Sequence, residues 1–130
     1  MMQLLLDTNI VLWLAEDNPK INQIKPLLLS EESQVFISTA SWWEILIKVR
    51  ANKLDVNLKK LRFSAKEAGF LELPISSDYL NAYFELPKLH KDPFDHMLLA
   101  QAISCPMRLI TGDSRLTEYS SLVMLIDERS

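Results

Sequence analysis

Short, unbroken apolar runs alternate along this chain with longer stretches in which apolar residues recur every three or four positions. The short runs read as buried strands and the longer stretches as helices packed on one face. Residues 3–6 begin the series as a strand, and a helix over 10–16 opens after Asp7-Thr8-Asn9. A second helix is expected over 22–30, with Pro26 awkwardly placed to shift its start or kink it. A strand at 35–37 and a helix over 40–52 follow, then a helix over 58–68 that ends at Gly69, a suitable C-terminal cap. Next come a short strand at 71–73 before Pro74 and a helix over 77–86. Residues 93–104 predict a helix with Leu98, Leu99, Ala102 and Ile103 on one face, followed by strands at 108–111 and 122–126.

Strands that alternate with helices, with no two-residue hairpin turns between them, require crossover connections. Continuously apolar strands such as Leu4-Leu5-Leu6 fit a sheet covered on both faces. The expectation is an α/β protein, a three-layer α/β/α sandwich with a mainly parallel central sheet, forming a single domain over residues 1–130. In such sheets the functional crevice lies beyond the carboxyl ends of the strands, where strand order reverses.

Composition narrows the setting. No apolar run reaches the roughly 18 residues of a membrane span, and no basic-then-apolar leader precedes Asp7. A lone Cys105 excludes a disulfide framework and a cysteine zinc site, and a cytoplasmic location is expected. The net charge of −3 argues against a nucleic-acid partner, yet the segment 48–66 carries seven of the chain's fourteen Lys and Arg residues against one acid, Asp55. That segment is either the solvated face of amphipathic helices or a phosphate-facing patch. Lys48, Arg50 and Lys53 are its first members and the candidate phosphate contacts.

The acids need a separate explanation. Asp7 interrupts LLLDTNIVLWL at the expected carboxyl end of the first strand, and Asp113 occupies the equivalent position after RLITG. Either could cap a helix, but two acids in one crevice point to function, and Asp7 reads as a ligand rather than a cap. Glu44 lies in STASWWEIL, where Ser41 and Glu44 could form a capping box. If Ser38 or Thr39 starts the helix instead, Glu44 sits a turn inside it, facing either solvent or the crevice. In HKDPFDHMLLAQA, Pro93 suits the first helical position, which makes Asp92 the natural cap and places Asp95 two residues further in. His90 and His96 read as surface or outer groups.

Four carboxylates converging from Asp7, Glu44, Asp95 and Asp113 would repel one another, and some would protonate unless a cation neutralised them. Oxygen-only ligation selects a hard ion, Mg²⁺ or Mn²⁺. Such an ion suits metal-assisted hydrolysis of a phosphodiester. The basic 48–66 segment would hold the polyanion.

DTNIVLWL, the Glu44 of SWWEILIK, DPFDHMLLAQA and LITGD, in this order and spacing, resemble the PIN domain. The nearest branch is that of VapC-type toxins from bacterial toxin–antitoxin pairs, and the resemblance runs over essentially the whole chain. It implies a PIN-like sandwich, Mg²⁺- or Mn²⁺-dependent ribonuclease activity, a homodimer, and a small antitoxin whose C-terminal segment blocks the crevice. By position, the acids carried over are Asp7, Glu44, Asp95 and Asp113. Thr8 and Asn9 match small polar residues that support the first acid, and Asp92 recurs in the DPFD form of this branch. A haloacid-dehalogenase-like phosphatase would want Asp where this chain has Asn9, and a receiver domain would carry an acidic pair at the first strand. The non-enzyme alternative is a catalytically inactive PIN-like module that binds RNA or protein. Trp13, Trp42 and Trp43 exceed what one small core needs, so part of this set is expected at an antitoxin groove or homodimer seam.

Overall fold

A computed structural model describes residues 1–126; positions 127–130 of the expected domain lie outside the described residues. The strands are β1 (Met2–Leu6), β2 (Ser33–Ser38), β3 (Leu71–Leu73), β4 (Arg108–Thr111) and β5 (Val123–Leu125). They form one five-stranded sheet in the order β3-β2-β1-β4-β5, with every neighbouring pair parallel. The helices are α1 (Thr8–Ala15), α2 (Lys25–Leu29), α3 (Thr39–Arg50), α4 (Leu58–Glu67), α5 (Leu80–Glu85) and α6 (Pro93–Ser104).

β1 is central because its side chains are apolar on both faces. Leu4 and Leu6 join one core cluster with Ile10, Val11, Val35, Ile37 and Ile110. Leu5 points the other way, into a cluster with Leu98, Leu99, Ala102 and Leu109 from α6 and β4. All three leucines are 0% exposed, and each such burial stabilises the fold by roughly 1.5–3 kcal/mol. A one-residue slip of β1 would exchange the two faces and forfeit much of that, so its register is tightly set. The expected three-layer α/β/α architecture is what the chain adopts.

The expected helix over 22–30 is two pieces. A 3-10 turn at Pro19–Gln23 leads to the short α2, and Pro26 falls in its first turn, where the missing N–H costs nothing. The helix expected over 77–86 likewise starts as a 3-10 turn, Ser77–Tyr79, before α5.

From β1 the chain steps outward to β2 and β3, then returns across the sheet to β4 on the other side of β1. Strand order therefore reverses between β1 and β4, and a crevice opens beyond their carboxyl ends. Asp7 and Asp113 leave those two ends.

Candidate active site

Asp7 is fixed from three sides. Its amide continues the ladder by donating to the Ile110 carbonyl at 2.9 Å. Its side chain accepts from the Thr8 amide at 2.7 Å and from the Thr111 hydroxyl at 2.6 Å. Asp7 thus stands in the N-cap position of α1, contrary to the expectation of a ligand with no capping role. It satisfies one orphan helix amide while its second oxygen is held by the neighbouring strand. Thr8 faces inward instead, donating from Oγ1 to Ser41 Oγ at 3.0 Å, which ties α1 to α3. Asn9 is exposed.

Asp92 caps α6, accepting through one oxygen from the Phe94 and Asp95 amides at 2.9 and 3.3 Å, with Pro93 at the first turn. Asp95 enters the crevice from that first turn and is only 7% exposed. Ser38, not Ser41, caps α3, accepting from the Ala40 amide at 3.0 Å. Glu44 therefore lies inside the helix, half-buried, with Lys48 one turn on at 3.3 Å. Asp113 opens the 3-10 turn Ser114–Glu118 and is gripped by the Arg115 guanidinium, closest contact 2.6 Å.

The four acids share one field. Burial pushes the Asp95 carboxyl up to about 8, and the charges of Asp7, Asp92, Glu44 and Asp113 add to that rise. Burial raises Asp7 to about 6 against the opposing hydrogen bonds from Thr111 and Thr8, with Glu44 and Asp113 adding repulsion. Asp113 goes the other way, because Arg115 holds it below the usual carboxylate range.

Among the described residues, no three His, Cys, Asp or Glu side chains stand close enough together to ligate an ion as they are. Each rim acid is instead turned onto its own partner, Glu44 onto Lys48 and Asp113 onto Arg115. The donor set still fits a hard divalent cation. It is all carboxylate oxygen, it is anionic, and its two most buried members have lost water without gaining a cation.

A profile of the PIN domain family matches residues 4–122. The chain belongs to the PIN domain family. By sequence, no curated protein gives a significant match. Among solved structures, VapBC2 from Rickettsia felis, bound to a DNA fragment from its promoter, is similar with a TM-score of 0.73 and 17% identity, over 95% of this chain and 97% of that one. A toxin–antitoxin complex from Klebsiella pneumoniae gives 0.72 at 21% identity, covering 95% and 98%. FitAB bound to its IR36 DNA fragment gives 0.68 at 16%, covering 94% of each chain. At these identities the likeness concerns the fold.

Two features of this PIN domain were hidden in its sequence. Trp13 packs against Gly112, where an added Cβ would lie 2.5 Å from the indole, so any larger residue before Asp113 would force the indole to shift. His90, His96 and Tyr119 form an aromatic cluster beside Asp95. The imidazoles stack at 5.2 Å, and Tyr119 meets each edge-on at 5.6 Å. Desolvation and the neighbouring His90 hold His96 below the usual imidazole range. Nothing in the spacing of residues 90, 96 and 119 announces this cluster.

The basic segment leads away from the site along α3 and α4. Lys48 is engaged by Glu44, and Arg62 by Glu72 at 2.9 Å, while Arg50 and Lys53 are exposed. The three tryptophans separate in role: Trp42 is buried, Trp13 covers Gly112, and Trp43 is 57% exposed. Trp43 meets Phe94 edge-on at 5.1 Å and borders an apolar cleft of about 300 Å³ shared with Leu80, Tyr83 and Met97.

Proposed function

We propose that this PIN domain is a metal-dependent endoribonuclease and the toxin of a toxin–antitoxin pair. One observation carries the reading: four acids from β1, α3, α6 and the end of β4 act on one another at the switch point of a parallel sheet, and burial has raised two of them to about 6 and about 8. A site that strains its own carboxylates this way is built to receive positive charge.

Asp7, Asp95 and Asp113 would hold Mg²⁺ or Mn²⁺ directly or through water, and Glu44 would ligate it or orient the attacking water. When bound, the ion activates that water and offsets the charge that builds on the scissile phosphate. The chain's own residues do the rest. The Thr111 hydroxyl fixes the Asp7 carboxylate at 2.6 Å, so the innermost ligand is preset. The Thr8–Ser41 bond holds α1 against α3 and keeps Asp7 and Glu44 in step. Lys48, Arg50 and Lys53 would contact RNA as it leaves the crevice. Asp92 serves the site through α6, by setting the turn from which Asp95 projects.

The paired proteins among the structural relatives favour a small antitoxin partner for this chain as well. The Trp43 cleft is assigned to that partner or to the seam of a homodimer. No helix among the described residues is long and apolar enough to cross a membrane. The test is cleavage of a mixed RNA substrate by the purified protein, with Mg²⁺ or Mn²⁺ and with EDTA, against Asp95→Asn. Metal-dependent cleavage that the variant lacks supports the reading. RNA binding without cleavage in either metal would leave the binding-only module.

A further inference from the structure

The proposed reaction makes no use of His90, yet the fold holds it firmly in place. Its side chain is as buried as that of Asp95, each 11% exposed, and its Nε2 faces Asp95 Oδ2 at 3.9 Å. The Asp92 amide donates to Nδ1 at 3.3 Å, so in the neutral ring the proton resides on Nε2. The backbone is pinned as well, because the His90 amide donates to the Tyr119 hydroxyl at 3.1 Å, and the same hydroxyl meets His96 Nε2 at 3.1 Å. The ring is thus fixed by its own nitrogen, by stacking on His96 and by the edge of Tyr119. The one polar atom left over is Nε2–H, buried and without a hydrogen-bond partner among the described residues. Buried donors are seldom left unmatched, because the loss of water is not recovered. The nearest acceptor is Asp95, and a shift of about 1 Å would bring it to hydrogen-bond length.

We propose that His90 is a positioning residue for Asp95: its Nε2–H donates to Oδ2 and holds the carboxylate so that the other oxygen faces the cation. This rests on the metal-site reading above. A ligand carboxylate normally has its second oxygen tied by a donor behind it, and loss of that donor typically weakens metal binding 10–100-fold. In this site the donor is supplied in advance, at a distance the carboxylate closes when it turns to the ion.

The test uses the full-length protein stripped of metal, with Mn²⁺ titrated in and the free ion read by electron paramagnetic resonance. His90→Phe keeps the ring packing against His96 and Tyr119 but has no donor, and is expected to weaken Mn²⁺ binding at least tenfold. His90→Gln returns an N–H at about the reach of Nε2 and is expected to recover affinity to within about threefold of wild type. Equal binding by wild type and His90→Phe would overturn the positioning role while leaving the metal site intact. An equal loss in both variants would overturn it too, since packing rather than the donor would then matter. Failure of the wild type to bind Mn²⁺ would instead remove the metal reading and this inference with it. Imidazole ¹⁵N spectra of the metal-free wild type give a readout that needs neither variant to fold. An Nε2–H tautomer at His90 is expected, and an Nδ1–H tautomer would refute the assignment.

Discussion

Replacing Asp7 by Asn should stabilise the metal-free protein at neutral pH, and by an amount that depends on pH. In the fold the Asp7 carboxyl sits at about 6, against 3.8 for a free side chain. At roughly 1.4 kcal/mol per tenfold change in proton affinity, that difference is worth about 3 kcal/mol. The sign follows from which state binds the proton. Between pH 4 and 6 the native state holds a proton that the unfolded chain has released, so native stability falls as pH rises through that window. The contribution is fully present below about pH 4 and fully lost above about pH 7. Asn mimics the protonated carboxyl and carries no such dependence. Its altered hydrogen bonding with Thr8 and Thr111 adds only a constant offset. In EDTA, the melting temperature of Asp7→Asn relative to wild type should climb between pH 4 and pH 7.5, by about 10 °C for a chain of this size. With Mn²⁺ at about a thousandfold excess over its dissociation constant the order should reverse, because binding stabilises only the protein that keeps the ligand, then by roughly 4.1 kcal/mol. Thermal melts of both proteins across this pH range, with and without Mn²⁺, decide the matter. A difference that stays flat with pH, or a full Mn²⁺ response in the variant, would show that Asp7 only starts α1.

Asp92 and Asp95 should part company. Asp92→Asn should keep both the α6 cap and RNA cleavage, since Asn caps about as well as Asp, whereas Asp92→Ala should cost about 1 kcal/mol of stability. Asp95→Asn should abolish cleavage with no loss of metal-free stability at neutral pH; if Asp92→Asn is equally inactive in a cleavage assay, the site holds a fifth acid. Replacing Lys48, Arg50 and Lys53 together by Ala should weaken RNA binding at every sequence alike. It should also reduce the salt slope by about 0.7 for each phosphate no longer neutralised, and an unchanged slope would make that segment a solvated face.

The fold was legible because the sheet's demands are written locally. A central parallel strand has to be apolar on both faces, and Leu4-Leu5-Leu6 can serve nowhere else in so small a protein. Asp92-Pro93 marked the start of α6 for a similar reason, since proline without its N–H fits the first turn and little else. The second helix departs from expectation where apolar spacing and Pro26 disagree, and the backbone requirement of proline prevails over the spacing. In the site, the positions of Asp7 and Asp113 followed from the ends of two strands. The half-buried place of Glu44 inside α3 did not, because it hinges on which serine caps α3, and Ser38 and Ser41 are equally competent by sequence. The hydrogen bond from His90 to Tyr119 spans 29 residues and depends on where the 3-10 turn after β4 ends. No local rule encodes such a pairing; only packing produces it.

The acids also divide by depth, and that division orders their roles. Glu44 and Asp113 lie at the rim, where Lys48 and Arg115 can reach them from the same helix or turn. The Glu44–Lys48 pair so placed is weak, because water competes for it, while the Arg115 fork grips Asp113 through contacts of 2.6–3.1 Å. Asp7 and Asp95 lie on the floor, buried, with hydroxyl, amide and imidazole neighbours but, among the described residues, no lysine or arginine paired to either. Their charge is the unbalanced part of the site, and both carboxyls rise accordingly, to about 6 and about 8. In the proposed metal reading a cation would gain most from these two, and Glu44 and Asp113 would exchange Lys48 and Arg115 for it. The fold can keep four acids together without metal because the floor is able to protonate and the rim has cations to lean on.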